Sequence, residues 1–298
     1  VAIVGLPNAG KSTLLNALVG QKLAIVTAKP QTTRHRILGI LSGPGHQGLL
    51  VDTPGVLATS RTALDGAMMR TVRSVLTQAD VLCVVVDGLA ASADPASGLE
   101  GLALTGAEGG APLCVLLNKA DLLGAEAAEQ LRSWYAAQPG VAAVLTASAK
   151  LGTGVRELEA WLVGSLPPGP TLYPKDQVSE HPERFFVAEC VREQIFELYR
   201  QEVPYCTSVS VLEHREGRNG QKDFIRVQVS VERESQKPIL LGKGGAAIKQ
   251  LSSASRAAVE DFLQRPVFLD LTVKVAEGWR DSEELLESFG VTNASRIV

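Results

Sequence analysis

Gly5-Leu6-Pro7-Asn8-Ala9-Gly10-Lys11-Ser12 is the stretch that decides the fold. It fits the pattern G-x-x-x-x-G-K-[ST]. It follows an apolar strand pattern at Val1–Val4 and opens a helical pattern over Lys11–Val19, the setting in which such a loop binds phosphate. Gly5 and Gly10 let the backbone curl until its N–H groups face inward at phosphate oxygens, and the helix start adds partial positive charge. Lys11 is placed to reach the β- and γ-phosphates of a nucleotide, and the Ser12 hydroxyl to bind Mg²⁺. Asn8, Ala9 and Thr13 complete the candidate contacts of this loop.

Three further motifs follow in order. Asp52-Thr53-Pro54-Gly55 ends the apolar run Leu49–Asp52. Asp52 can hold Mg²⁺ through water, and the Gly55 N–H can sense a γ-phosphate and release when it leaves. Asn118-Lys119-Ala120-Asp121 ends another apolar run. Asp121 is an acceptor-only carboxylate able to take two N–H bonds from the guanine edge, a donor pair that adenine lacks. Lys119 is expected to cover the ring face and Asn118 to brace the loop. Ser148-Ala149-Lys150 follows the last run, with the Ala149 N–H aimed at guanine O6. Each motif alone is a common turn. Their order behind the phosphate loop makes GTP or GDP with Mg²⁺ the expected ligand.

The surrounding pattern fits an α/β fold. The runs Val1–Val4, Leu49–Asp52, Val81–Asp87, Leu113–Asn118 and Ala142–Thr146 are almost continuously apolar, as strands covered on both faces are. Helical patterns over Lys11–Val19, Ala63–Gln78 and Ala125–Gln138 lie between them. A mainly parallel sheet with helices on both faces is therefore predicted for residues 1–166. Ala90–Gly110 reads as loop with a weak helix. The Pro-rich, polar residues 167–181 read as an interdomain linker.

Residues 182–298 then change pattern to a smaller α+β domain: a helix over Pro182–Gln201, strands over Thr207–Glu213 and Phe224–Val231 with a Gly217–Gly220 turn, a helix over Ala246–Gln264, and a final strand over Val267–Ala276. Leu240-Leu241-Gly242-Lys243-Gly244-Gly245-Ala246-Ala247-Ile248, expected between a strand and a helix in an α-β-β-α-α-β order, resembles the KH motif. In that motif a G-x-x-G loop clamps about four nucleotides through their backbone. Gly242, Lys243, Gly244, Gly245 and Lys249 are the candidate RNA contacts, with Lys237 and Arg256 as a basic rim. A type II KH domain is the expected architecture.

Composition narrows the reading. Of 298 residues, 45% are hydrophobic and 20% charged, and the formal net charge is −3, so any RNA contact must use a local patch. The longest strand-like apolar run, Val81–Val86, is too short to cross a bilayer. No leader pattern is visible, and Val1, already inside a strand pattern, predicts that a few residues precede it. Cys83, Cys114, Cys190 and Cys206 form no C-x-x-C pair and read as buried reduced thiols. The four histidines show no metal-ligand spacing. Acidic Asp281–Glu287 reads as a solvated helix face.

Gln31-Thr32-Thr33-Arg34-His35-Arg36 is similar to the switch I segment of the Era family of bacterial ribosome-assembly GTPases, and Val273–Arg280 resembles the end of that family's chain, where a final strand runs into Gly-Trp. The four nucleotide motifs resemble those of translation-factor-related GTPases generally. The resemblance covers nearly the whole chain, except Thr292–Val298, which has no counterpart. It implies that Thr33, or Thr32 if the register slips by one, binds Mg²⁺ beside Ser12 and Asp52. It implies hydrolysis of GTP with Lys11, Thr33 and Gly55 as the catalytic groups. It also implies binding to the 3′ end of 16S ribosomal RNA, action in 30S subunit assembly, a cytoplasmic monomer, and peripheral contact with the inner membrane face, for which the sequence shows no anchor. Val56 stands where Ras-like enzymes carry a water-orienting glutamine. In several relatives with that replacement, K⁺ held partly by a P-loop asparagine supplies positive charge, and Asn8 matches that asparagine.

Two readings follow. In one the chain is an enzyme, a GTP-hydrolysing switch that controls RNA binding. In the other it is an RNA chaperone that GTP merely locks, and Val56 keeps that reading open. Asp121 disfavours a metabolic ATPase.

Overall fold

The computed structural model describes residues 1–57, 59–100, 110–218 and 220–291. They form two compact units: Val1–Arg61 with Asp65–Glu180, and the residues from His181 onward together with Thr62–Leu64.

The first unit is built on six strands: β1 (Ala2–Val4), β2 (Ile37–Gly43), β3 (His46–Asp52), β4 (Leu82–Asp87), β5 (Leu113–Asn118) and β6 (Val141–Thr146). They lie in the order β2-β3-β1-β4-β5-β6, and every neighbouring pair is parallel except β2 with β3. The connecting helices are α1 (Lys11–Val19), α2 (Ala63–Gln78), the single turn α3 (Gly88–Ala91), α4 (Ala125–Ala136) and α5 (Val155–Ser165). On one face Ala2 and Val4 pack with Val72 and Val75 of α2 and with Leu131 and Tyr135 of α4. By strand alternation Ile3 points to the other face, and it is equally buried. Burial on both faces explains why β4 and β5 read as unbroken apolar runs.

The antiparallel hairpin β2–β3 was not expected from sequence. It turns between Gly43 and His46 with Gly45 at φ 80°. Gly39 in β2 lets α1 pack closely, since a Cβ there would stand 2.7 Å from Leu15 and 2.8 Å from Val19.

The segment read as a linker is not loose. Val178 O accepts the Ile40 N–H at 2.9 Å, the Ser179 hydroxyl donates to Leu38 O at 2.5 Å, and Arg36 forms an ion pair with Glu180. Gln47 accepts the Leu172 and Tyr173 N–H groups and donates to Tyr173 O. Residues 172–180 thus form a strap along the exposed edge of β2, and the first unit runs to Glu180.

The second unit contains α6 (Glu183–Leu198), β7 (Thr207–Arg215), β8 (Asp223–Val231), α7 (Lys237–Leu241), α8 (Ala246–Leu263), β9 (Val267–Val275) and α9 (Glu283–Ser288). Its sheet runs β7-β8-β9, antiparallel then parallel. Leu251, Ser255 and Val259 form a buried stripe along α8 at four-residue spacing, and Val187, Val191 and Ile195 belong to the same core. Trp279 is fully buried and donates its indole N–H to Cys206 O at 2.9 Å. The glutamates of α9 are exposed while Leu286 is buried. One expectation is corrected: the Gly242–Gly245 loop joins two helices, α7 and α8, and not a strand and a helix. Pro238 sits in the first turn of α7, where it costs no helical hydrogen bond.

In the segment read as Ala90–Gly110, residues 101–109 lie outside the described residues, as do Asn219 of the Gly217–Gly220 turn and Thr292–Val298. No helix among the described residues is long and apolar enough to cross a membrane. All four cysteines are buried and free of disulfides.

Candidate functional site

The phosphate loop leaves β1 at Gly5 and enters α1 at Lys11. Gly5 has φ 148°, and a Cβ there would stand 2.2 Å from the Val85 carbonyl oxygen. Gly10 has φ 95°, and a Cβ there would stand 2.2 Å from Asn118 Nδ2. Both glycines are therefore required by close approach as well as by backbone angle. Lys11 is buried and donates its Nζ to Gly5 O at 3.1 Å and Leu6 O at 2.9 Å, which folds the side chain back over its own loop. Burial pushes its ammonium down to about 8, a shift that Asp52 partly offsets. A cavity of about 330 Å³ opens in front of the loop, lined by residues that include Asn8, Gly10, Lys11, Ser12, Thr13, Thr33, Gly55 and Lys119.

Ser12 and Thr33, which line the cavity, meet the buried Asp52 from a third segment. Ser12 Oγ donates to Asp52 Oδ2 at 2.6 Å and lies 2.9 Å from Thr33 Oγ1. Asp52 Oδ1 is buried without a hydrogen-bond partner, and burial raises the carboxyl to about 6, against the pull of Lys11, Ser12 and the Thr53 N–H. A buried carboxylate with an orphaned oxygen beside two hydroxyls suits a hard dication such as Mg²⁺. Thr32 is turned away: its hydroxyl donates to Lys29 O at 2.9 Å. Val56 is buried in the first unit's core and its N–H donates to Gly5 O at 3.1 Å. Gly55 lies against Pro7, where a Cβ would be 2.8 Å from the proline ring. Asn8 donates its Nδ2 to Ala28 O at 3.2 Å, tying the loop to the segment before Thr33.

The base-binding motifs are stapled together by Asn118. Its Nδ2 donates to Ala9 O at 2.8 Å, and its Oδ1 accepts the Ala149 N–H at 3.0 Å. The amide expected to meet guanine O6 is thus already engaged by Asn118. Ser148 is fully buried and its hydroxyl accepts the Leu151 N–H at 3.2 Å. Asp121 and Lys150 are exposed at the rim. Lys119, in the left-handed region at φ 62°, forms an ion pair with Asp87 at 2.5 Å. Asp87 was missed by sequence reasoning, and the only signal for it was a carboxylate ending an apolar strand. Asn16 was missed too: its side chain holds Leu23 and Ala24 by three hydrogen bonds ahead of the switch segment.

In the second unit Gly242, Gly244 and Gly245 all have positive φ, at 70°, 60° and 79°. Gly242 is crowded, with a Cβ position 2.6 Å from the Ala247 side chain, whereas Gly244 and Gly245 face open space. Lys243 and Lys249 are exposed. Arg256 does not stand free as a rim charge, because it pairs with Glu260 one helical turn away.

Fold and site together define a P-loop GTPase that carries a C-terminal KH domain. Residues 1–119 match the 50S ribosome-binding GTPase family and residues 202–280 match the KH domain family. The chain is 49% identical over 97% of its length to a chloroplastic GTPase ERA1 of Zea mays, covering 69% of that protein. It is 40% identical to GTPase Era of Carboxydothermus hydrogenoformans, covering 98% of this chain and 97% of that one. Among solved structures, Aquifex aeolicus Era Y63A bound to GDP·AlF4⁻ superposes with a TM-score of 0.90 at 34% identity, and Era in complex with MgGDPNP and nucleotides 1506–1542 of 16S ribosomal RNA with 0.87 at 34%. Both alignments cover 97% of each chain. The chain belongs to the Era family of GTPases.

Proposed function

We propose that this chain is a GTP-hydrolysing switch whose KH domain binds the 3′ end of 16S ribosomal RNA and which acts in assembly of the 30S subunit. One observation carries the reading. A magnesium-ready phosphate cradle and a three-glycine KH loop occur in one chain, and a solved relative of the same architecture holds both MgGDPNP and that RNA.

Loop amides from Asn8 to Thr13 hold the phosphates, and Lys11 moves its ammonium from its own carbonyls onto the β- and γ-oxygens. Ser12 and Thr33, with Asp52 through water, would hold Mg²⁺, which would supply charge neutralisation on those oxygens. Thr33 would answer to the GTP state through Mg²⁺, and the Gly55 N–H would sense the γ-phosphate. Val56 faces the core and is assigned no general-base role, and rate would come from positioning and electrostatics. Asn8 would be one ligand for K⁺. Asp121 reads the guanine edge, Lys119 covers the ring, Asn118 and Ser148 brace the loops, and Ala149 shares its N–H between Asn118 and O6 with Lys150 beside it. Gly242, Lys243, Gly244, Gly245 and Lys249 take the RNA backbone. The membrane contact implied by the resemblance enters no step.

The test is crosslinking and single-turnover hydrolysis with a 16S 3′-end fragment. RNA that crosslinks to residues 242–249 in the GTP state and speeds hydrolysis supports the switch. RNA bound equally in the GTP and GDP states, with turnover unchanged, favours a chaperone that nucleotide merely locks. No binding to that fragment overturns the RNA assignment.

A further inference from the structure

The β4–β5 register sets Asp87 beside Asn118 at the carboxyl ends of two paired strands, one residue before Lys119. Asp87 uses its two oxygens differently. Oδ1 accepts the Leu89 and Ala90 N–H groups at 3.1 and 3.2 Å and so caps α3. Oδ2 takes the Lys119 ammonium at 2.5 Å. The Lys119 backbone is held in the left-handed region, so both ends of its side chain are fixed, and the residue lines the nucleotide cavity. An unanchored lysine would lose this order, because long side chains carry the largest rotamer entropy.

We infer that Asp87 is a positioning residue for guanine: it anchors the Lys119 ammonium so that the apolar stem is presented, already ordered, as one face of the base slot. This rests on the reading of Asn118–Asp121 as the base-binding motif. The chemistry needs a carboxylate in this place. An amide could still cap α3 through its oxygen, but it would turn N–H donors toward the ammonium.

Asp87→Asn therefore separates the two roles. The measurement is a double-mutant cycle in which wild type, Asp87→Asn, Lys119→Met and the double variant are titrated with GDP, alongside thermal midpoints. Met keeps an apolar stem and lacks the charge. Asp87→Asn is expected to weaken GDP about three- to fivefold, the range of a partly exposed ion pair, to leave the midpoint close to wild type, and to have no further effect once Lys119 is Met. Inorganic pyrophosphate, which lacks the base, should bind wild type and Asp87→Asn alike. An equal loss with Lys or Met at 119, an equal loss for pyrophosphate, or no loss for GDP would each overturn the inference and leave Asp87 a helix cap only. A wild-type chain without affinity for GDP would remove the base-binding reading itself, and this inference with it.

Discussion

Two loops in this chain place glycine and lysine at the start of a helix, and they are built to opposite plans. At Gly10-Lys11-Ser12 the lysine is buried and bonded to its own loop carbonyls, and Gly10 is wedged against Asn118. At Gly242-Lys243-Gly244-Gly245 the lysine is exposed, and the last two glycines face open space. The first is a tightly packed cage in which one buried lysine has still to swing onto the phosphates. The second is an open clamp with little behind it. Pre-organisation of this kind favours one small ligand of fixed shape, whereas an open backbone accepts a polymer threading past it.

The contrast sets the scale of what each loop loses on mutation. The largest effect is expected for Lys11→Ala, which should lower single-turnover GTP hydrolysis about 10³-fold, because a buried charge aimed at developing negative charge is removed. A drop under tenfold would mean that the lysine never leaves its carbonyl partners. Gly10→Ala should weaken GDP binding about 100-fold by calorimetry, since its Cβ would collide with Asn118 and its φ is 95°. Gly244→Ala should weaken RNA binding about five- to thirtyfold, the strain of one left-handed alanine. Similar losses at Gly10 and Gly244 would erase the distinction between cage and clamp. Replacing Na⁺ by K⁺ should raise turnover about tenfold in wild type and not in Asn8→Asp; equal rates in both salts would discard the ion. Lys243→Ala is the smallest, about fivefold in RNA affinity, with the log–log salt slope falling by about one unit if the side chain meets a single phosphate.

The same contrast explains what was legible in the sequence. Cage motifs are short, ordered and tied to strand ends, so Gly5–Ser12, Asp52–Gly55 and Asn118–Asp121 could be placed from spacing alone. The doubly buried strands Leu82–Asp87 and Leu113–Asn118 could be placed because burial on both faces leaves no polar interruption. Strand Ile37–Gly43 was missed: an apolar run broken by Gly39 has neither alternation nor a turn motif in front of it. Helix Lys237–Leu241 was missed because Pro238 reads as a breaker, although proline is at home in a first helical turn. Asp87 escaped because Lys119 comes from another strand end and meets it only once the sheet has assembled, and Asn16 because its partners are main-chain groups of Leu23 and Ala24, which carry no side-chain signal. Choosing between Thr32 and Thr33 likewise needed coordinates, since both carry the same hydroxyl and only one faces Ser12.

The strap over residues 172–180 bears on how the chain can be cut. A piece ending at Leu166 looks natural, because the prolines begin there. It would leave the Leu38 carbonyl and the Ile40 N–H bare on an edge strand, an invitation for another copy to zip on and precipitate. A piece carried through to Glu180 keeps its own selvedge sewn in place.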